Sequence, residues 1–322
     1  MQTINKKNAR IWSMLGMRRT IGMVLNDIPD IDENFIFMTA DVARYFGTDK
    51  FQQNYPDRII DMGIAEQNMI GVAAGMVKEG SHVFAATYAT FITARVLDQI
   101  RVSLGYMKLG VKLIGVGGGL AEGDLSATHM GLEDIADIRA IPNIIIISPA
   151  DGAETIKAMY ALASYEGPAY LRLSGKTNLP MVYKEEFDFE IGKGNVLCSG
   201  NEIALIATGT MVSTALEVAS ELEKKNISCT VVDMHTIKPL DKQLLDKLKE
   251  HKYVVTMEEH MIIGGLGSAV AEHYSSKKIR PVQLMIGIED EYPQAGEYEL
   301  LLHKCGLTKE KILDKIKKFI EQ

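Results

Sequence analysis

Glu66 opens the stretch of this sequence best suited to chemistry. The run Arg58-Ile59-Ile60-Asp61-Met62 reads as a strand, Gly63 permits a turn, and Ala65 to Lys78 places apolar side chains at helical spacing. Glu66 therefore falls in the first turn of a helix whose residues Ile70 to Val77 are small or apolar on every side, the pattern of a buried helix. An acid there either complements the helix dipole or acts chemically near the interior. Tyr88 and Phe91 are three residues apart just after a strand and share a face if the chain turns helical, either as core aromatics or as a flat platform. His129 follows small and polar residues, Asp124 among them, and precedes a helix over Glu133–Arg139; such a histidine caps, faces solvent, or moves protons. Asp41 ends the apolar strand Phe35–Met38, where open α/β sheets place ligand groups and where Asp also forms turns.

The elements that must position these residues alternate regularly. An amphipathic helix over Asn8–Asn26 comes first. Segments at Arg58–Met62, Ala65–Lys78, Ser81–Ala86, Ile92–Ser103, Val111–Val116, Glu133–Arg139, Asn143–Ser148, Ala153–Ser164 and Ala169–Leu173 then switch between strand and helix patterns. That rhythm predicts a mostly parallel sheet with helices on both faces. It breaks between about Gly175 and Gly194, and we place a domain boundary there, with residues 1–186 before it and 187–322 after it. A second α/β rhythm follows, giving two doubly wound α/β domains. Thr308 to Gln322 reads as a helix capped by Thr308 that docks by one face. The glycine clusters Gly117-Gly118-Gly119 and Gly265-x-Gly267 lack the G-x-G-x-x-G spacing and read as tight turns rather than a dinucleotide site.

Composition narrows the function class. At 322 residues and 47% hydrophobic content the chain can build two ordinary cores, and a net charge of −7 argues against a nucleic-acid or anionic-membrane surface. Cys198, Cys229 and Cys305 are widely spaced, which suggests neither a zinc site nor a disulfide framework and fits a reducing cytoplasm. We find no targeting signal and no apolar run near the roughly 20 residues that span a bilayer.

GIAEQN followed by a small-residue helix resembles the pyrimidine-binding domain of the thiamine-diphosphate enzymes of the transketolase family, and the resemblance covers nearly the whole chain. It implies that Glu66 contacts N1′ of the cofactor's aminopyrimidine. A carboxylic acid in an apolar pocket favours its proton-bound form and can share that proton with N1′. The ring's 4′-imino nitrogen then takes the proton of the thiazolium C2, which attacks a carbonyl. Thr87-Tyr88-Ala89-Thr90-Phe91 is similar to the family's T-F-x-x-F segment and implies that Phe91 stacks on the pyrimidine with Tyr88 beside it. The stretch from Asp124 through Thr128-His129, followed by Leu132-Glu133-Asp134-Ile135-Ala136, resembles the family's active-site loop, G-E-D-G-x-T-H. His129 would then sit by the substrate oxygen, and Asp124 would bind a substrate hydroxyl. Asp41 matches a T/S-A-D segment near the cofactor, and Arg18 matches an early phosphate-binding arginine. IIGGLGSAVAE matches the family's C-terminal domain.

The chain also departs from the family pattern. Asp124 stands five residues before His129 instead of four, Tyr45 replaces a serine, Gly115–Gly119 contains no histidine, and Gly175-Lys176 replaces an arginine, leaving Lys176 as a point cation. The resemblance implies transfer of a two-carbon ketol unit from a ketose, phosphorylated or modified, to an aldose, and these departures point away from an ordinary sugar phosphate toward a modified sugar such as a sulfonated one. No G-D-G motif occurs, so the diphosphate and its Mg²⁺ (or Ca²⁺) fall to a separate N-terminal subunit. The resemblance thus implies the C-terminal subunit of a split transketolase, with the cofactor between chains in a heterotetramer of two copies of each (α₂β₂). Three alternatives are a 2-oxoacid dehydrogenase β subunit, a deoxyxylulose-phosphate-synthase-like enzyme, and a non-catalytic α/β interaction subunit.

Overall fold

The computed structural model describes residues 2–30 and 32–321. Helix α1 (Lys6–Leu25) starts where Asn5 accepts the Asn8 N–H at 3.0 Å, and it buries Trp12, Met17, Ile21, Val24 and Leu25. Gly16 interrupts it at φ 74°, a conformation that favours glycine, and a side chain there would also overlap the Lys176 carbonyl. Strand and helix then alternate through β1 (Phe35–Thr39), α2 (Asp49–Asn54), β2 (Ile59–Asp61), α3 (Glu66–Lys78), β3 (His82–Tyr88) and α4 (Ala89–Ile92). After α4 come α5 (Leu97–Gln99), β4 (Lys112–Gly118), α6 (Asp134–Arg139), β5 (Ile145–Ile147), α7 (Gly152–Ala163) and β6 (Ala169–Ser174). The later part contains β7 (Asn195–Cys198), β8 (Ile203–Ala207), α8 (Met211–Glu223), β9 (Cys229–Asp233), β10 (Thr236–Lys238) and α9 (Lys242–Leu248). It ends with β11 (Tyr253–Met261), α10 (Leu266–Ser275), β12 (Val282–Ile288), α11 (Tyr298–Lys304) and α12 (Lys309–Ile320).

The strands form two sheets. The first has order β10-β5-β6-β4-β3-β1-β2 and is parallel except for β10; the second, β12-β11-β8-β9-β7, is parallel except for β7. In the first sheet Phe37 lies opposite both Ile59 and Phe84, and Gly115 lies opposite Thr87 and Arg172. This common direction gathers the carboxyl ends of β1, β3, β4 and β6 at one edge, where ligand groups sit in open sheets. Apolar faces of the first sheet pack against α1 and α7 on one side and against α3 and the segment after α4 on the other.

Several expectations need correction. The helix expected over Ile92–Ser103 is broken: Thr93 adopts φ −116°, ψ −82°, its hydroxyl donates to the Ala89 carbonyl, and the chain continues as a 3-10 turn, a short α5 and a π-helical stretch. Helix α3 is not buried all round; Gln67, Asn68, Gly71, Val72 and Gly75 are exposed, because the sheet covers only the face of Met69, Ile70, Ala73 and Ala74. Thr308 precedes α12 without a capping hydrogen bond from its side chain. The sequence pattern also missed β10, a strand from the second half of the chain that pairs with β5 across from Ile147. Three residues carry no readable period.

Candidate active site

Glu66 is placed by a turn with few alternatives. Gly63 has φ 65°, and Asp61 Oδ1 accepts the N–H of both Gly63 and Asp41 at 2.9 Å, tying the end of β1 to the turn that enters α3. The Glu66 side chain is 4% exposed. The pocket around it is not purely apolar, which corrects the sequence expectation: Arg95 Nη1 donates to Glu66 Oε1 at 2.8 Å, and the Arg95 Cζ lies 3.8 Å from the centre of the Phe91 ring.

From Phe91 an aromatic wall runs across the edge of the sheet. The rings of Phe91 and His129 are 5.0 Å apart, those of His129 and Tyr88 5.3 Å, and those of Tyr88 and Tyr45 5.8 Å, all edge-to-face. Arg18 ends the row, its Cζ 4.4 Å from the Tyr45 ring centre. Burial raises the Tyr88 phenol above its ordinary value, reinforced by Tyr45 and Glu122, so Tyr88 stays neutral. His129 Nδ1 lies 2.9 Å from Thr128 Oγ1, which restrains the ring.

Beyond Tyr45 the surface dips into a cleft of about 280 Å³ that includes Leu15, Arg18, Glu122, Ser174 and Lys176. Its cations are answered by acids: Arg18 lies 3.5 Å from Glu122, and Lys176 Nζ donates to Asp124 Oδ2 at 2.9 Å. The kink at Gly16 seats α1 against the Lys176 backbone and so sets both cations on the cleft.

The loop that carries Glu122, Asp124 and His129 is tied down at its base. Gly131 accepts the Gly119 N–H at 2.7 Å and also Arg172 Nη2 at 3.0 Å. Arg172 is buried, pairs with Asp134 at 2.8 Å, and reaches the Glu259 carbonyl at 2.9 Å. The Glu259 carboxylate accepts the Leu120 N–H at 2.7 Å together with the hydroxyls of Thr210 and Tyr298. Burial raises its pKa, and these donors together with Arg172 offset only part of that rise.

The structure thus unites seven of the eight expected site residues along one wall and cleft: Glu66, Phe91, Tyr88, His129, Arg18, Asp124 and Lys176. Asp41 stands apart. It is exposed at φ 59° and borders a neighbouring depression with Asp61 and Arg44, and Tyr45 lines both that depression and the cleft. Sequence reasoning missed Arg95, Glu122, Arg172 and Glu259 as site-forming residues. For Arg95 a signal existed, a cation four residues after Phe91; for Glu259, one of two acids ending the apolar run of β11, nothing local pointed to the loop.

A flat aromatic face beside a buried carboxylate fits the aminopyrimidine half of thiamine diphosphate. Among the described residues no cluster of three or more His, Cys, Asp or Glu side chains is placed to hold a metal ion.

Comparison with known proteins agrees with this geometry. Residues 13–181 match the family described as transketolase, pyrimidine binding domain, and residues 192–312 match transketolase, C-terminal domain. The chain belongs to the transketolase family and is a transketolase-type transferase subunit, made of the half that split enzymes carry separately. Among its relatives is an apulose-4-phosphate transketolase subunit of Phocaeicola vulgatus, 35% identical over 96% of this chain and 99% of that one. A 6-deoxy-6-sulfo-D-fructose transketolase subunit of Clostridium sp. is 34% identical over 92% of each chain. A solved split-gene transketolase, titled an inactive beta4 tetramer, shares 38% identity at a TM-score of 0.85, covering 94% of this chain and 97% of that one. No helix among the described residues is long and apolar enough to cross a membrane.

Proposed function

We propose that this chain works with an N-terminal, diphosphate-binding partner subunit to move a two-carbon ketol unit from a ketose to an aldose. The observation that carries the proposal is the placement of Glu66, a buried carboxylate at one end of an aromatic wall whose other end opens on a cleft with two cations. When bound, thiamine diphosphate supplies a carbon nucleophile that holds the electrons of the cleaved carbon–carbon bond. Every other task falls to side chains. Glu66 holds a proton against a ring nitrogen, and Phe91 and Tyr88 fix the ring's plane and keep water off it. His129, between them, donates to the substrate oxygen that gains charge. Asp41, at the neighbouring sheet end, borders the cofactor side.

Arg18 and Lys176 bind the anionic end of the sugar, and Asp124 a hydroxyl. Because both cations are already paired, the anion must displace carboxylates, which favours a compact group such as phosphate or sulfonate held by partial contacts. The relatives that act on apulose 4-phosphate and on a sulfonated fructose support that class. In this reading the partner subunit holds Mg²⁺ or Ca²⁺ together with the diphosphate, in an α₂β₂ assembly. The test is Glu66→Gln in the reconstituted complex, with ketose donors and aldehyde acceptors. Loss of at least about 100-fold in turnover, the scale of removing a catalytic proton donor, is expected. Unchanged turnover would instead make this a non-catalytic interaction subunit.

A further inference from the structure

Arg95 occupies the place that the proposed function assigns to a pyrimidine. Its guanidinium covers the Phe91 ring at 3.8 Å and donates to Glu66 Oε1 at 2.8 Å. A guanidinium is planar, stacks on aromatic faces and presents N–H groups in its own plane to a carboxylate. An aminopyrimidine uses the same features, a flat face for stacking and in-plane nitrogens for an acid. One ring face and one carboxylate oxygen cannot serve both at once.

The way Arg95 is mounted suits a movable group. Its side chain is 42% exposed whereas that of Glu66 is 4% exposed, so the guanidinium reaches inward from the surface and has solvent behind it. Its backbone is held separately: the break at Thr93 turns the chain, and the Arg95 carbonyl accepts Gln67 Nε2 at 3.3 Å, fixing it beside the first turn of α3. Side-chain rotation alone can therefore clear the slot. Until then the cation keeps Glu66 from being a buried, unpaired charge, a state that is strongly destabilising.

We infer that Arg95 is a placeholder: in the chain without its partner, the guanidinium fills the pyrimidine slot by covering Phe91 and pairing with Glu66, and it must swing into solvent before a planar heterocycle can enter. The inference rests on the pyrimidine-slot reading of Glu66 given above. It has a two-sided consequence. The pair stabilises the lone chain, and by keeping the binding-competent form a minority it weakens the chain's apparent affinity for the heterocycle by the fraction that is open.

Thiamine, which carries the aminopyrimidine without the diphosphate, is the probe. Its binding to the purified chain is measured by titration calorimetry for wild type, Arg95→Met and Arg95→Lys, and the same samples are melted without ligand. Arg95→Met is expected to bind at least tenfold tighter than wild type and yet to melt at a lower temperature. A purely structural arginine would lower the melting temperature with binding unchanged or weakened. Arg95→Lys keeps the charge and loses the stacking plane; it serves if the methionine variant fails to fold and should bind severalfold tighter than wild type. Binding no tighter than wild type in the folded variants, or undetectable binding in every protein, overturns the placeholder. The functional reading is judged separately by Glu66→Gln turnover in the complex, so either can fail while the other stands.

Discussion

Replacing Arg172 with methionine tests whether the junction beneath the active-site loop is held electrostatically. The side chain is 1% exposed, and its Nε lies 2.8 Å from Asp134 Oδ2, which also accepts the Tyr170 hydroxyl at 2.6 Å. Nη2 serves the carbonyls of Gly131 and Glu259 at 3.0 and 2.9 Å, joining the loop to the second sheet. The arginine lies so close under Gly118 that a Cβ there would meet its Cζ at 2.9 Å. Methionine fills much of the volume but leaves the buried Asp134 carboxylate without its cation and takes a donor away from the Gly131 and Glu259 carbonyls. Breaking a buried pair from one side costs about 3–5 kcal/mol. Taking about 4 kcal/mol, and about 2–4 °C per kcal/mol for a domain of this size, the melting temperature should drop by roughly 8–16 °C. Urea titration and calorimetry at pH 7 measure this. Adding Asp134→Asn removes the stranded charge while keeping an acceptor for Tyr170, and it should restore about 1.5 kcal/mol or more, a coupling typical of residues in one network. A cost below about 1 kcal/mol for the single variant, or a double variant no more stable than the single, would refute this account of the junction.

Three further outcomes follow from the same structure. Gly16→Ala forces a side chain onto φ 74° and into the Lys176 carbonyl; it should cost about 1–3 kcal/mol in urea unfolding and raise KM for anionic sugars more than it lowers kcat. Burial pushes the Asp233 carboxyl from 3.8 up to about 7, beside Tyr183 and Glu154. The folded state then holds a proton that the unfolded chain releases, so this group's stabilisation is complete below about pH 4 and fades as the pH climbs through 7. Asp233→Asn, which never ionises, should therefore gain at least about 1 kcal/mol over wild type at pH 8 relative to pH 4 in urea titrations at the two pH values, since each tenfold change in proton affinity is worth about 1.4 kcal/mol. His129→Ala should lower kcat of the reconstituted complex by about 100-fold or more while leaving its melting temperature within about 2 °C, since the half-buried ring is held by edge contacts and one threonine.

Much of this molecule is written locally. The alternation of apolar runs places most strands and helices of the first sheet within a residue or two, because each pattern reports which side of its own element meets the core. Gly63 before Glu66 and the three-residue spacing of Tyr88 and Phe91 are likewise local, and they announce an acid at a helix start and two rings on one face. Family motifs add His129, Arg18 and Lys176. What the chain could not show by pattern is which distant groups meet. Arg95 and Glu66 are 29 residues apart, Arg18 and Glu122 are 104 apart, and Arg172 and the Glu259 carbonyl are 87 apart. Periodicity carries no record of such pairs. They arise only when parallel strands bring their carboxyl ends to one edge and the second sheet closes on the first, so that a buried charge must find its partner from whatever packing places beside it. The acid was therefore legible from the sequence, and the cation covering it became visible only in the folded chain.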